Sequence, residues 1–334
     1  MGTVSNTTKT IATALVLSLY LSACTVQWMG SVAEREAEPE VTDLERWLSE
    51  SFDWRERRLE RLTTPDGWLS LVAMDFVDDG VYAVGSGSDQ DLIISGGADH
   101  WGQLEVRDGR AWFTAAAEAP LRIEFFEPHH ERLAPVGEAI ALQPGGDSTA
   151  TRVHANGAQF NLVERAGQLG LRGRDAQADS LVGFQGLDYF ALDPDWVIAA
   201  EWQPHPAGTT IEMVNVLGQV VDEPNPGQAV MTFTDEQGQG HTFTLQAFAT
   251  STDQLFFVFA DQTSGRETFG LGRMLYTEGP KDGRVVLDFN RAFNPPCAFN
   301  AYTTCALPPA GNRINWPIRA GESRYRGPAG LADR

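Results

Sequence analysis

Short apolar runs separated by turn residues constrain the fold of this chain more than any other feature. From Trp68 onward, stretches of four to ten residues rich in apolar side chains alternate with Gly, Asn and Asp, and nothing repeats at a fixed period. Such runs, bounded by turn residues, are typical of antiparallel strands. Asp108-Gly109 and Asn156-Gly157 each lie between two of these runs and predict tight hairpin turns, whose central residues need positive φ. We therefore predict a mainly β protein.

The apolar runs fall into two groups along the chain. Residues 68–180 predict a β-sandwich portion, and residues 181–334 predict a second antiparallel β portion that ends in a Pro-rich loop. In the first group, the order Val84-Gly-Ser86, Asp91–Ile94 and Asp99-His-Trp-Gly distantly resembles forkhead-associated β-sandwiches. Those domains read phosphothreonine through an Arg after the Gly, but Ser86 stands at that place here and has no guanidinium to grip a phosphate. The resemblance therefore implies the fold and not the phosphopeptide function.

Residues 42–67 predict an amphipathic helix followed by a turn. Thr42 and Glu45 have the spacing of a capping box, and Thr64-Pro-Asp-Gly67 is a strong turn signal. Apolar residues recur at helical spacing and are expected to pack against the core, with arginines toward the other side. These apolar positions are Leu44, Trp47, Leu48, Phe52, Leu59 and Leu62.

The first residues of the chain predict export and a lipid anchor. Residues 1–23 carry one cation, Lys9, and an apolar run from Ile11 to Leu21 that is too short to cross a bilayer. Leu21-Ser-Ala-Cys24 resembles the lipobox of bacterial lipoproteins, which implies a lipid on Cys24 and membrane lipid as a partner. Thr25 after the cysteine favours the outer over the inner membrane of a two-membrane cell envelope. Residues 24–41 are then expected to form a flexible acidic stalk.

The charge of the chain excludes one class of partner. Its formal net charge is −20, and Lys9 and Lys281 are the only lysines. Such a surface repels phosphate backbones, so nucleic acid is not an expected partner. The six histidines are scattered, and His129-His130 follows Pro128 in a predicted loop. We therefore expect neither a metal site nor a cofactor.

The carboxy-terminal third contains a dense set of unusual motifs. They include Glu267-Thr-Phe-Gly-x-Gly-Arg273, Asp288-Phe-Asn290, Asn294-Pro-Pro-Cys297-Ala-Phe299, Cys305-Ala-Leu-Pro-Pro309 and Ala320-Gly-Glu322. These motifs, together with Asp66-Gly-Trp68, Arg172-x-Arg174 and Phe184-x-Gly-Leu-x-Tyr-Phe190 upstream, resemble the DUF1684 family (domain of unknown function) of uncharacterised bacterial proteins. The resemblance covers nearly the whole mature chain and implies no established activity.

Polar residues of these motifs form the predicted site. Arginine, amide and carboxylate groups near one rigid loop are suited to a pocket for a polar or anionic ligand. The alternative is structural, because Asn and Arg in a Pro-rich coil commonly satisfy backbone carbonyls, and Asp–Arg pairs hold loops. The residues concerned are Arg273, Asp288, Asn290, Arg291, Asn294, Asn312 and Glu322.

Cys297 and Cys305 stand between two stiff Pro-Pro pairs, with seven residues between them. In an oxidising compartment, a disulfide that closes this loop is expected to contribute about 2–3 kcal/mol to the free energy of unfolding. Two alternatives remain open for this pair: free thiols, either buried or reactive, and metal ligation.

Two functions are compatible with these features. The first is a lipid-anchored envelope protein that binds a small polar ligand or a partner without catalysis. The alternative is an envelope hydrolase that uses a site around Asp288, Arg291, Asn294, Cys297 and Glu322. The sequence contains no Gly-x-Ser-x-Gly elbow, Walker loop or His-Glu-x-x-His motif that would select an enzyme class.

Overall fold

The computed structural model of the protein describes residues 42–117, 120–126, 128–146 and 149–327. The predicted signal peptide, Cys24 and the stalk lie outside the described residues. Within these ranges the chain is mainly β, as predicted, with one long helix near its amino terminus and several antiparallel sheets. No helix in the described ranges has the length and apolar character needed to cross a membrane.

The predicted amino-terminal helix is confirmed as α1, Asp43–Thr63. Its predicted buried face is partly wrong: Leu62 is buried, but Leu44, Phe52 and Leu59 are exposed. The buried stripe instead carries Arg58 beside Leu62, because a buried carboxylate in the carboxy-terminal segment receives the guanidinium. A second helix, α2, is a single turn at Asp179–Val182. Turns of 3-10 helix occupy Trp68–Ser70, Pro194–Trp196, Phe289–Arg291, Pro296–Ala298 and Ala310–Asn312.

The amino-terminal β portion contains two sheets. Its strands are β1 Leu71–Val77, β2 Gly80–Gly85, β3 Leu92–Ile93, β4 Gly102–Arg107, β5 Arg110–Ala115, β6 Arg122–Phe126, β7 His129–Leu133, β8 Ala139–Leu142, β9 Arg152–Ala155, β10 Ala158–Arg165 and β11 Gln168–Asp175. In the described residues, one sheet has the order β1-β11-β10-β9-β6-β7 and the other β3-β2-β4-β5-β8. All pairs are antiparallel except β2 with β3. Side chains of both sheets meet in one core around Trp101, Phe113 and Phe160.

Both predicted hairpin turns are present in this portion. Asp108 and Gly109 join β4 to β5, and Asn156 and Gly157 join β9 to β10. All four residues have positive φ, between 47° and 88°, as a tight hairpin turn requires. The loop predicted at His129-His130 is wrong, because both residues belong to β7, which pairs with β6 at the edge of the sheet.

The second β portion begins after α2. Its strands are β12 Val197–Pro204, β13 Thr210–Val214, β14 Val220–Pro224, β15 Gly227–Thr234, β16 Gly240–Gln246, β17 Phe248–Ala249, β18 Gln254–Asp261, β19 Arg273–Glu278, β20 Arg284–Asp288 and β21 Arg313–Ile314. Within the described ranges, its sheets have the orders β16-β15-β12-β20 and β17-β18-β19, with β21 parallel to β18 and β13–β14 as a separate hairpin. Their apolar faces share a core around Phe257, Phe259, Leu287 and Phe289.

Two smaller apolar clusters connect α1 to the rest of the chain. One joins Leu62 of α1 to Leu69, Phe299 and both cysteines of the Pro-rich loop. The other joins Trp54 and Trp68 to Met274 and Phe293. Residues Asp43–Arg334 group as one unit, and the division of this unit near residue 180 into separately folding portions stays a prediction.

Candidate functional site

Glu322 is the centre of a buried polar network between α1 and the carboxy-terminal segment. The Arg58 Nε donates to Glu322 Oε1 at 2.8 Å, and the Asn294 N–H donates to Glu322 Oε2 at 2.8 Å. Arg58 also donates to the Asn294 carbonyl at 3.1 Å, and the Asn294 side chain donates to the Ser323 carbonyl at 2.8 Å. Both charged side chains of the network are almost completely removed from solvent. Their contacts join α1 to the carboxy-terminal segment.

Arg273 and Asn312 hold backbone segments in the interior of the second β portion. Arg273 is fully buried, pairs with Asp261 at 2.9 Å and donates to the Ile318 carbonyl at 2.8 Å. Burial lowers the pKa of this guanidinium, and the carboxylate of Asp261 opposes that shift. The Asn312 side chain accepts from the Gln246 N–H and donates to the Gln246 and Val258 carbonyls. Neither residue lines an open cleft in the described structure.

The Asp288–Arg291 turn is the part of the predicted site nearest to solvent. Asp288 accepts from the Asn290 N–H at 3.1 Å and from Trp47 Nε1 of α1 at 3.1 Å. Asn290 is buried and exchanges two hydrogen bonds with the backbone of Asp193. Arg291 pairs with Asp288 at 3.3 Å and with Glu50 of α1 at 3.6 Å, and its side chain lines a cleft.

The residues named for the hydrolase alternative do not meet in one open site. Cys297 and Glu322 are fully buried, and Asn294 is buried beside Glu322. Asp288 caps its own turn, while Arg291 faces the cleft. Within the described ranges, no group of three or more His, Cys, Asp or Glu side chains is close enough to hold a metal ion.

The cleft that Arg291 lines has a volume of about 680 Å³ and runs between α1, the following turn, the start of β18 and the second half of β19. We call it the arginine–aromatic cleft, because its walls carry four arginines and four aromatic rings. These residues are Arg57, Arg58, Arg61, Arg291, Trp54, Trp68, Tyr276 and Phe293. Asp66 is the one carboxylate among the described lining residues. The volume of the cleft lies within the range of small-molecule binding sites.

Phe293 is the centre of the aromatic part of this cleft. The Tyr276 ring stacks on it at 5.9 Å between centroids with an angle of 12°, and the Trp68 ring stacks at 6.5 Å. Trp54 contacts it at 6.5 Å in a tilted arrangement. Tyr276 remains about half exposed, so a ligand can reach its ring. Partial burial raises the pKa of Tyr276, which keeps its side chain a neutral phenol rather than a phenolate at neutral pH.

The four arginines differ in their partners. Arg58 forms an ion pair with Glu322. Arg291 forms ion pairs with Asp288 and with Glu50. Arg57 and Arg61 have no ion pair within 4.0 Å among the described residues. They stand four residues apart on α1 and are therefore neighbours on its surface, where like charges repel each other. The cleft thus presents, beside a set of stacked rings, two guanidinium groups that form no ion pair in the described part of the chain.

The cleft carboxylate is already occupied. Gln159 donates a hydrogen bond to Asp66, and the Arg152 guanidinium lies 3.5 Å from it. Arg152 is not one of the lining residues, and its positive charge offsets the negative charge of Asp66, the one acid of the described lining. The electrostatic character of the site is therefore set by its arginines.

The two cysteines of the Pro-rich loop are free and buried in this structure, and the disulfide between them stays a prediction. The Cys297 N–H donates to Cys305 Sγ at 3.0 Å. The hydrogen bond to Cys305 and burial raise the pKa of the Cys297 thiol. For Cys305, burial acts to raise the pKa, but hydrogen bonds from Cys297 and Thr303 outweigh it and lower the pKa.

The arginine–aromatic cleft was not predicted from the sequence. The α1 arginines were expected on the side away from the core, and the α1 aromatics in packing contacts. One signal was available: Arg57 and Arg61 occupy one helical stripe of a chain that has 20 more acidic than basic residues. That stripe could not be connected to Tyr276 or Phe293, which lie more than 200 residues further along the chain.

Comparison with known proteins gives a family match in the second half of the chain. Residues 182–323 match the sequence model of the family described as "Protein of unknown function (DUF1684)". Of the upstream motifs, Phe184-x-Gly-Leu-x-Tyr-Phe190 lies within the matched residues, whereas Asp66-Gly-Trp68 and Arg172-x-Arg174 lie outside them. No curated protein matches the chain.

Among solved structures, the chain is similar to the solution NMR structure of an uncharacterized protein from Haloarcula marismortui. The two share 29% sequence identity over 42% of this chain and 77% of that chain, with a TM-score of 0.34.

Proposed function

We propose that the protein binds a small organic anion that carries a flat ring, and that the arginine–aromatic cleft is the binding site. One observation carries the proposal: in a chain of net charge −20, Arg57 and Arg61 have no ion pair with any described residue, and they stand beside exposed aromatic surface. Two neighbouring guanidinium groups can hold a carboxylate or phosphate by charge-assisted hydrogen bonds. A ring of the ligand would stack on Tyr276 or Trp68, whose faces also attract cations and other rings.

The charge of the whole protein makes this site selective. An anion approaching most of the surface meets an excess of carboxylates, whereas the cleft offers concentrated positive charge with low-dielectric aromatic walls. Such walls strengthen the electrostatic attraction, because they exclude part of the water that would screen it. The ligand of this cleft is therefore expected to be a compact anion rather than a polyanion, which would also contact the surrounding acidic surface.

A thermal-shift experiment on the full chain tests the proposal with three probes of related shape. Phenyl phosphate supplies both ring and dianion, inorganic phosphate supplies the anion alone, and phenol supplies the ring alone. We expect phenyl phosphate to raise Tm most, since a ligand at 100 times its Kd stabilises the folded state by about 2.7 kcal/mol. An equal response to all three probes, or none to phenyl phosphate, would contradict the proposal.

We further propose that the protein acts in the cell envelope, held to a membrane by a lipid on Cys24. Its support is the Leu21-Ser-Ala-Cys24 motif after an apolar run. Several acyl chains on one cysteine hold a protein stably at a bilayer, because each buried CH₂ contributes about 0.8 kcal/mol. The binding cleft would then sample ligands in the aqueous compartment next to that membrane, and nucleic acid would not be a partner.

Fractionation of cells that express the chain tests the anchor. The unchanged protein should sediment with membranes, and intact mass should show a lipid on Cys24. Cys24→Ser should release the protein into the soluble fraction. A Cys24→Ser variant that stays in the membrane fraction, or a lipid-free Cys24 in the mature protein, would refute the anchor without affecting the cleft.

A further inference from the structure

One flank of α1 carries large apolar side chains that are in contact with solvent. Phe52 is 59% exposed, Leu44 is 52% exposed and Leu59 is 41% exposed. Leu48, which is partly buried, lies between Leu44 and Phe52 on the same flank. We call these four residues the α1 apolar stripe.

Helical geometry places the stripe in one narrow band. Successive residues of an α-helix are turned by about 100° around its axis, so positions 44, 48, 52 and 59 fall within about 80° of each other. They extend over most of the helix, whose 21 residues are about 30 Å long. Single exposed apolar side chains are normal on a protein surface, whereas a row of them marks a contact with an apolar partner.

The one charged side chain of α1 within this band is turned toward the protein. Arg55 donates to the Phe190 carbonyl at 3.0 Å, and its guanidinium lies 4.2 Å from the ring centroid of Tyr189. Both contacts direct the charge toward the fold and away from solvent. The outer surface of the band is therefore formed by Leu and Phe side chains.

The α1 apolar stripe and the arginine–aromatic cleft use different flanks of the helix. Trp54 and Arg61 line the cleft, and none of the four stripe residues is among its described lining residues. A step of two residues along a helix turns the side chain by about 200°. Phe52 therefore points away from Trp54, and Leu59 away from Arg61. A partner that covers the stripe leaves the cleft open to solvent.

The position of α1 in the chain favours a lipid bilayer as the apolar partner. Residues 25–42, eighteen in number, separate Cys24 from the first residue of the helix. A chain of this length spans at most about 60 Å in any conformation. A lipid on Cys24 would therefore keep α1 close to the membrane surface.

The charge of α1 is compatible with this contact. The helix has six acidic and five basic residues, a net charge of −1, whereas the whole chain has a net charge of −20. A second copy of this acidic chain is repelled more strongly than a zwitterionic lipid surface. Helices that lie on membranes bury their Leu and Phe side chains about 5–10 Å deep, at the boundary between headgroups and acyl chains.

We propose that the α1 apolar stripe lies on a zwitterionic lipid bilayer and turns the arginine–aromatic cleft toward the aqueous compartment. The inference rests on the lipid anchor proposed above and adds a second contact, which sets the orientation of the protein. The anchor holds the chain at the membrane, and the stripe determines which side of the protein faces the lipid. The cleft on the other flank of α1 is then accessible to ligands in solution.

The test uses the mature, lipid-modified protein in phosphatidylcholine vesicles that contain a nitroxide-labelled lipid. A thiol-reactive fluorophore is attached to the Phe52→Cys and Leu59→Cys variants. The control is Leu133→Cys, because Leu133 is a 71% exposed apolar residue of β7, outside α1. The unsubstituted protein measures the labelling of the buried Cys297 and Cys305.

We expect the lipid nitroxide to quench the fluorophore at Phe52→Cys and Leu59→Cys, and to leave the fluorophore at Leu133→Cys unquenched. A nitroxide near the headgroup should quench more strongly than one at the far end of the acyl chain, because the stripe is expected at the boundary between them. In a Phe52→Glu background, quenching at Leu59→Cys should be lost while the protein stays with the vesicles, since a carboxylate on the stripe opposes its burial in lipid.

Intact mass of the same samples separates this inference from the anchor. If Cys24 carries lipid and the positions on α1 are quenched no more than Leu133→Cys, the inference fails and the anchor stands. A lipid-free Cys24 would overturn both. A fluorophore at Phe52→Cys that is shielded from a soluble quencher but not reached by the lipid nitroxide would show that a second copy covers the stripe, and would also overturn the inference.

Discussion

Arg58 joins three parts of the molecule through a single side chain. Its guanidinium pairs with Glu322 of the carboxy-terminal segment and lies 4.8 Å from the Phe293 ring centroid and 5.0 Å from that of Trp68. The same contacts place Phe293 and Trp68 at the base of the arginine–aromatic cleft. Burying a charge is costly unless its partner is present, so Arg58 and Glu322 depend on each other.

Removing one member of this pair is expected to destabilise the protein strongly. Glu322→Gln leaves the buried Arg58 guanidinium without a counter-charge, and such a loss costs about 3–5 kcal/mol of the free energy of unfolding. Urea denaturation measures the difference. Arg46→Ala is the matched control on the same helix, because Arg46 pairs with Asp43 at the surface and its loss should cost at most about 0.5 kcal/mol. Similar costs for the two variants would show that the buried pair does not hold α1 in place.

The carboxy-terminal segment is the element that brings Glu322 beneath α1. It approaches the 3-10 turn at Phe289–Arg291 so closely that a Cβ at Gly321 would lie 2.4 Å from the Ala292 carbonyl oxygen and 2.7 Å from that of Phe289. Gly321 also has a φ of +79°, a conformation that favours glycine. The position of Glu322 therefore depends on a backbone contact that only glycine permits.

Two alanine substitutions separate the effect of conformation from that of close approach. Gly238 has a φ of +81° in the turn before β16, and a Cβ there meets nothing within 4 Å. Gly238→Ala should cost about 1–2 kcal/mol, the penalty of a left-handed conformation. Gly321→Ala should cost at least twice as much, because the backbone must also shift, and should weaken the Arg58–Glu322 pair. Equal melting temperatures for the two variants would contradict this account of the segment.

Local elements could be predicted from the sequence because their causes are local. Asp108-Gly109 and Asn156-Gly157 specify hairpin turns through their own backbone preferences, and α1 follows from helical periodicity and a turn signal. The rotation of α1 could not be predicted, because it depends on Glu322, which lies 264 residues after Arg58. The arginine–aromatic cleft has the same origin, since its walls come from segments that only the tertiary fold brings together.

The predicted site residues show the same limit. Arg273, Asn290, Asn294, Asn312 and Glu322 were grouped because they are polar and close in sequence. In the fold, these side chains lie inside the protein and form hydrogen bonds with the backbone groups of different segments. A motif rich in polar residues indicates a constrained loop, but the partners of each side chain decide whether that loop binds a ligand.

At the scale of the whole molecule, the excess of acidic residues acts against the compact state. The chain has 45 Asp and Glu residues but only 25 Lys and Arg residues, so the excess carboxylates on its surface repel each other. The Debye length falls from about 10 Å at 0.1 M salt to about 3 Å at 1 M. Salt therefore screens this repulsion, and it also weakens the attraction of an anion to the arginine–aromatic cleft.

The denaturation midpoint in urea should rise when NaCl is increased from about 0.1 to about 1 M, because screening relieves repulsion between carboxylates. A neutral osmolyte at equal osmolality is the control for general exclusion effects. A midpoint that falls with salt would show that attractive ion pairs, rather than repulsion, dominate the electrostatics of the fold.

The most direct test of the proposed function is calorimetric titration of phenyl phosphate into the full chain and two arginine variants. Arg61→Gln removes from the arginine–aromatic cleft a guanidinium that has no ion pair with the residues that the structure describes. Arg107→Gln is the control, because Arg107 also lies over an aromatic ring, that of Trp112, but outside the cleft. We predict that Arg61→Gln weakens binding about tenfold or more, because it removes a hydrogen bond to a charged group, which contributes about 1.5–3 kcal/mol. Arg107→Gln should bind phenyl phosphate like the unchanged protein. Equal weakening by both variants, or unchanged binding by Arg61→Gln, would contradict the assignment of this cleft as the anion site.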